Sequence, residues 1–338
     1  MNEFKTDIAI IGAGPVGLFA VFELGLLDMK CHLIDNLDKI GGQCSELYPE
    51  KPIYDIPSRV KISAQELVDD LMEQCKPFNP VFHLNQQATR LEKDGENWKI
   101  ITNTGKQIYS KCIVIAAGAG SFVPRKPPLE NIEKFENKSI FYSIKKKELF
   151  NNKDLLIAGG GDSAIDWTIE LSKIANVTLV HRRKEFRASQ DSVKKMHDLH
   201  EKKKIKFLIG QLSSLHGKEG ELESVGIKND DKIIQIKTKY LIPFYGLKME
   251  LGSINSWNLK LENNLIVVDT EKFETSIPKI FSIGDINTYK GKLKLILSGF
   301  HEAALMARKC EEYCFPDRKR VFRYTTSSSD IHKKLGVK

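Results

Sequence analysis

Two hydrophobic habits alternate along this chain. Ile8-Ala9-Ile10-Ile11 is an unbroken apolar run, which predicts a short strand buried on both faces. Val16, Leu18, Phe19, Val21, Phe22 and Leu24 then recur at helical spacing and predict a helix over 15–27. Cys31-His32-Leu33-Ile34 predicts a second strand. The region beyond it, with Gly41-Gly42-Gln43-Cys44 and Pro49 to Pro57, reads as loop. Leu67, Val68, Leu71 and Met72 predict a helix over 63–75, with Ser63 as cap and Glu66 as its capping-box partner. Alternation over 88–91, 98–101 and 107–109 predicts a meander with turns at Asp94-Gly95 and Thr104-Gly105. The run 112–118 predicts a further buried strand, and 124–128 a linker.

The opening pattern then returns. A strand over 154–158 meets a second glycine turn, followed by a helix over 165–174 and a strand over 177–180. Residues 206–210 and pieces of 222–241 predict another meander. Strands are expected at 266–268 and 280–283, and a long helix over 296–313. Polar residues follow Phe322, Tyr324, Thr325 and Thr326 in the tail.

Both turns carry chemistry. Gly12, Gly14, Pro15 and Gly17 lie in G-x-G-x-x-G order between strand and helix. Gly12 permits the tight turn, Gly14 a close approach to a pyrophosphate, and Gly17 the packing of helix on strand. The free N–H groups at the start of that helix suit a phosphate. Asp35 ends the second strand, 18 residues past Gly17, where a carboxylate reaches a ribose hydroxyl pair. A glycine turn packed for its own sake does not explain Asp35. The second turn, Gly159-Gly160-Gly161-Asp162-Ser163-Ala164, lies 147 residues after the first. Its acid position holds His181-Arg182-Arg183 instead, with Arg187 beyond. Arginines there suit a 2′-phosphate, so this dinucleotide is expected to be NADP rather than NAD. Asp285, after a strand and Gly284, suits a ribityl or phosphate-side group.

Composition changes the picture only at its edges. The 338 residues allow two ordinary domains, and 41% hydrophobic with 28% charged residues is a globular balance. No run approaches the roughly 18 apolar residues of a membrane helix, and no signal-peptide order opens the chain. Six cysteines fit a cytoplasmic protein better than a disulfide scaffold. Cys310 and Cys314 are four apart, but no second pair completes a metal site, and none is expected. The net charge of +8 suits an acidic partner. No helix-turn-helix or aromatic-laced basic sheet suggests nucleic acid.

The two turns, Gly41-Gly42-Gln43, the run at 115–118, the stretch from His181 through Arg187 to Ala188 and Ile283-Gly284-Asp285 together resemble the thioredoxin-reductase-like flavoproteins, nearly end to end. Where thioredoxin reductases proper carry C-x-x-C, residues 141–147 contain no cysteine, which removes a dithiol relay. Leu47-Tyr48-Pro49-Glu50-Lys51, the second turn with Asp166-Trp167, and Ser298-Gly299-Phe300-His301-Glu302-Ala303-Ala304 resemble the ferredoxin–NADP reductases of that type.

The resemblance implies an α/β fold of two Rossmann-like dinucleotide-binding domains of the three-layer ββα kind. It implies an FAD domain at 1–118 and 246–316, an NADP domain at 119–245, a tail at 317–338 over the flavin, and a homodimer. Asp35 would hold the adenosine ribose, where relatives usually have Glu. Gln43 would hydrogen-bond the flavin ring and Tyr48 stack on it. Ala88 would meet the adenine through its backbone, Phe122 would line the FAD pocket, and Asp285 would hold the ribityl region. Tyr324 would cover the other flavin face with Thr325 and Thr326, where relatives often have His. The tail or the NADP domain would then have to move before hydride transfer. Gly159, Gly161, Asp162, Ser163, Ala164, His181, Arg182, Arg183 and Arg187 would hold NADPH. The implied reaction passes hydride from NADPH to FAD N5, then single electrons to ferredoxin or flavodoxin, with no acid–base residue required. The rivals are an NADPH-dependent disulfide reductase using Cys44, a quinone reductase, and a slow flavin redox sensor.

Overall fold

The computed structural model describes residues 2–118, 120–230, 232–319 and 324–336, with the backbone alone at 121–123, 247–249 and 327. The chain divides into two compact units. The first joins Met1–Ser121 to Met249–Lys338, and the second is Phe122–Lys248.

The first unit is built on five parallel strands. In spatial order they are Val81–His83, Cys31–Ile34, Glu3–Ile11, Gln107–Ile115 and Ile280–Ser282. The central strand runs Glu3–Ile11, five residues longer than its apolar run, because Glu3 to Thr6 pair with Gln107 to Ser110. Ile8, Ala9 and Ile10 are completely buried, as a strand covered on both faces requires. Gln107–Ile115 is one strand, although its sequence reads as two. The polar pair Ser110-Lys111 that suggests a break lies within it, and Lys111 makes a 2.9 Å ion pair with Asp7 on the neighbouring strand. The near half of this strand pairs antiparallel with Asn97–Thr102, which pairs with Ala88–Asp94. Its far half pairs with Ile280–Ser282. The sheet thus forks into a meander and a resumed parallel strand.

Helices Pro15–Leu26, Ala64–Cys75 and Ile296–Cys314 pack on this sheet. Pro15 opens the first, where its missing N–H costs nothing. Ser63 and Glu66 form the expected capping box: Glu66 N–H donates to Ser63 Oγ at 3.2 Å, and Ser63 N–H to Glu66 Oε2 at 2.7 Å. The region read as loop contains a short helix, Gln43–Leu47, entered through Gly41 and Gly42 at positive φ. Leu265–Val267 belongs to a small separate sheet. In the tail, Ser329–Leu335 is a helix that its polar sequence does not announce.

The second unit holds four parallel strands in the order Lys206–Ile209, Asn176–His181, Asp154–Gly159, Tyr240–Phe244. Lys206–Ile209 is an edge of this sheet rather than part of a meander. The three-stranded meander is Gln211–Lys218, Glu221–Asn229 and Lys232–Lys237. The helix after the second turn spans Asp162–Leu171, three residues earlier than its apolar spacing suggests, because Gly161 takes the cap position. A further helix, Gln190–Glu201, buries only Met196, so its sequence reads as a charged surface run. Pro124 ends a strand, Ser121–Pro124, and only 125–128 is irregular.

All six cysteines are free and buried. Among the described residues no helix is long and apolar enough to cross a membrane, and no group of three His, Cys, Asp or Glu side chains could hold a metal ion.

The Ser63 side chain serves the helix start, so Ser63→Ala should cost about 1 kcal/mol of stability. Urea denaturation should show a lower midpoint at unchanged m-value.

Candidate functional site

In the first unit, the glycine turn touches backbone on two sides. A Cβ on Gly12 would stand 2.3 Å from the Ala116 carbonyl oxygen, and one on Gly17 2.2 Å from the Gly12 oxygen. One on Gly42 would stand 3.1 Å from Gly14 Cα. Three backbone segments converge there with no side chain between them, which is the bare cradle a pyrophosphate needs. Asp35 closes one end. Only 8% exposed, it accepts the Ala13 N–H at 2.7 Å and the Leu37 N–H at 2.9 Å. Burial raises its pKa, and the N–H groups of Ala13, Leu37 and Asn36 oppose the rise. The carboxylate therefore braces the turn and keeps acceptor capacity for hydroxyls. Ala88 lies close in chain to this end: Gln86 N–H donates to the Asp35 carbonyl at 2.9 Å, and Ala88 is buried.

The other end gathers Gln43, Cys44, Tyr48 and Asp285. Gln43 Nε2 lies 3.5 Å from where a Cβ on Gly118 would be, so its amide faces the bare end of the strand Gln107–Ile115. Tyr48 and Cys44 hydrogen-bond through their side chains, and Asp285 lies near enough to raise the pKa of both. Burial is the larger cause, and it pushes Cys44 up to about 11. Asp285 is raised by burial first, lowered by Lys292 and Lys294, and raised by Glu302. Leu293, Leu295 and Leu297 follow in sequence and are 61%, 39% and 42% exposed.

Tyr324 is 69% exposed at the start of the turn Thr325–Ser327, and Thr325 and Thr326 are exposed. The Phe122 side chain lies outside the described residues.

In the second unit, Gly159, Gly161, Asp162, Ser163 and Ala164 form the expected strand-to-helix turn. A strap from Glu185 to Ser189 runs along it. Arg187 N–H donates to the Gly160 oxygen at 2.7 Å, and Ser189 N–H to Asp162 Oδ1 at 2.8 Å. Arg182, Arg183 and Arg187 are exposed, and no carboxylate ion-pairs with them among the described residues. His181 does not point the same way. Its ring stacks on Phe186 at 5.0 Å and covers Gly160, whose Cβ would fall 2.1 Å from His181 Cε1. His181 is held below its usual pKa, by burial first and then by Arg183 and Arg182 against the Glu185 carbonyl, and its ring packs over the turn. Tyr245 is an addition: burial raises its pKa and Arg182 lowers it, which puts the phenol beside that arginine. Its signal in the sequence is an aromatic just past the last strand of a nucleotide sheet.

The matching family model is the pyridine nucleotide-disulphide oxidoreductase family, over residues 6–303. A "Ferredoxin--NADP reductase" of Parvibaculum lavamentivorans is 58% identical, covering 99% of both chains. One of the same name from Bradyrhizobium sp. is 55% identical over all of both chains. Among solved structures, the thioredoxin reductase of Lactococcus lactis superposes with a TM-score of 0.78 at 24% identity, covering 92% of this chain and 99% of that one. A bacillithiol disulfide reductase of Bacillus cereus gives 0.74 at 17% identity, covering 91% and 99%. These likenesses in structure show the fold.

Gly160→Val would drive a side chain into the His181 ring. Pyridine-nucleotide KM should rise at least about tenfold while the protein's flavin content stays unchanged. Steady-state kinetics and the flavin absorbance of the purified protein read the two effects separately.

Proposed function

We propose that this chain, which belongs to the pyridine nucleotide-disulphide oxidoreductase family, is a ferredoxin–NADP reductase binding FAD in its first unit and NADPH in its second. The observation that carries the reading is the second turn, where three exposed arginines, with no carboxylate ion pair among the described residues, replace the acid of the first. A 2′-phosphate is the group that such a cluster selects. The full-length identity to named ferredoxin–NADP reductases supports the choice of electron acceptor.

FAD, when bound, supplies the conversion between two-electron and one-electron chemistry. The chain's own residues bind and orient. Asp35 holds the adenosine ribose through the acceptor capacity left by its two N–H bonds. The turn of Gly12, Gly14, Pro15 and Gly17 takes the pyrophosphate, and the Ala88 backbone meets the adenine. Gln43 and Tyr48 fix the ring from one side, and Asp285 holds the ribityl region. Tyr324 with Thr325 and Thr326 covers the opposite face, within a homodimer. The turn from Gly159 to Ala164 takes the NADPH pyrophosphate and Arg182, Arg183 and Arg187 its 2′-phosphate, while His181 shapes the turn. No side chain is needed to move a proton in the hydride step.

Cys44 is a poor candidate for disulfide exchange. It is 2% exposed, and its pKa of about 11 leaves almost no thiolate at neutral pH. The net charge of +8 favours an acidic ferredoxin, or a flavodoxin, drawn in by electrostatic steering. Six free cysteines suit the reducing cytoplasm.

The test uses purified protein loaded with FAD. NADPH or NADH is added, reduction of ferredoxin is followed, and a dithiol–disulfide substrate is assayed in parallel. Ferredoxin reduction with strong NADPH preference supports the reading. Flavin reduction without electrons reaching ferredoxin overturns the acceptor. Each of Arg182→Ala, Arg183→Ala and Arg187→Ala should raise the KM for NADPH by about tenfold and leave that for NADH nearly unchanged. Cys44→Ser should keep full ferredoxin reduction; a large loss would revive the thiol chemistry.

A further inference from the structure

Glu302 lies in the helix Ile296–Cys314 and is completely buried. Its carboxylate has four donors. Gly284 N–H reaches Oε2 at 2.6 Å and Asn287 Nδ2 reaches it at 2.9 Å. Tyr289 OH reaches Oε1 at 2.9 Å, and the Lys292 ammonium bonds the same oxygen. Lys292, with a side chain 6% exposed, also donates to the Gly284 carbonyl at 2.8 Å. One buried ion pair therefore grips both the N–H and the C=O of Gly284, a glycine at φ +80°. Asp285 is the next residue.

The same helix turn reaches the other end of the first site. A Cβ on Gly299, three residues before Glu302, would stand 2.3 Å from Val16 Cγ2, and one on Gly284 would stand 3.5 Å from that atom. Val16 belongs to the first turn of the helix that follows Gly14. Glu302 thus ties the loop of Asp285 to the helix start beside the pyrophosphate cradle.

A buried pair of this kind has a structural role and an electrical one. Removing one partner leaves the other charge uncompensated in a medium that screens poorly. Here that charge would stand one residue from Asp285, whose titration already responds to Lys292, Lys294 and Glu302. We propose that Glu302 is the positioning residue of the flavin loop, and that its neutralisation by Lys292 sets the reduction potential of the bound flavin. The proposal rests on the reading that FAD occupies the first unit.

The experiment measures the potential by spectroelectrochemical titration of the FAD-loaded protein, with the FAD dissociation constant measured alongside. Glu302→Gln leaves the buried ammonium unbalanced and should favour the reduced, more negative flavin about tenfold, or about 30 mV for a two-electron couple. Lys292→Met leaves the carboxylate unbalanced and should shift the equilibrium by a similar factor in the opposite direction. The double variant should return towards the parent value, which a double-mutant cycle reads directly. Opposite shifts that cancel are the expected result, because mere loosening of the loop has no sign. Unmoved potentials, or shifts of the same sign, overturn the proposal. If Glu302→Gln does not fold, the sign of the Lys292→Met shift decides. Loss of fold or of flavin in both single variants also overturns it, since the pair then serves stability alone. A parent protein that binds no FAD would instead sink the underlying reading.

Discussion

The constraint on which the first unit depends is backbone touching backbone. Gly17 sits against the Gly12 carbonyl and Gly12 against the Ala116 carbonyl, each too close for a Cβ. Those contacts press the helix Pro15–Leu26 onto its strand and bring that strand's end beside Gln107–Ile115. Asp35 can reach Ala13 across 22 residues only because strand and turn are locked this tightly. Any side chain in the seam would separate the phosphate end from the carboxylate that braces it.

The two units use one backbone device under opposite electrostatics. In the first, a buried carboxylate is spent partly on the turn itself and keeps lone pairs that can still accept hydrogen bonds. In the second, the brace is a backbone strap held by Arg187 N–H and by Asp162, so the charges of the arginines stay exposed and unspent. Guanidinium groups left in this way discriminate by charge, whereas the Asp35 arrangement discriminates by hydrogen-bond geometry. On the proposed reading, that difference sorts two cofactors of similar shape within a single chain.

The parts legible in the sequence were those whose period and punctuation agree. Both glycine turns, Asp35 and the Ser63 capping box stand where spacing places them, because each is fixed within a few residues. Illegible features arise from partners far along the chain. Lys111 reads as a strand break until Asp7 is set beside it. Gln190–Glu201 is a helix with one buried side chain, so no apolar stripe marks it. The roles of Glu302 and Lys292 need the loop to close, and nothing local in either residue signals the other.

The ties in the first unit also differ in kind. Glu302 and Lys292 are buried, so salt in solution screens them little. The carboxy-terminal segment is held otherwise. Arg318 and Lys334 both bind Asp28, at 3.2 and 2.6 Å, and they reach the Leu27 and Leu26 carbonyls that end the first helix. These side chains are 27–49% exposed, a class of pair that contributes about 0–1 kcal/mol each and weakens with ionic strength. One acid thus anchors the chain on both sides of Tyr324 through interactions that salt loosens. Raising ionic strength should therefore act on the seat of Tyr324 long before it disturbs the loop of Asp285. The segment that bears the exposed Tyr324 is thus held by pairs that salt reaches, and the loop of Asp285 by one that salt barely touches.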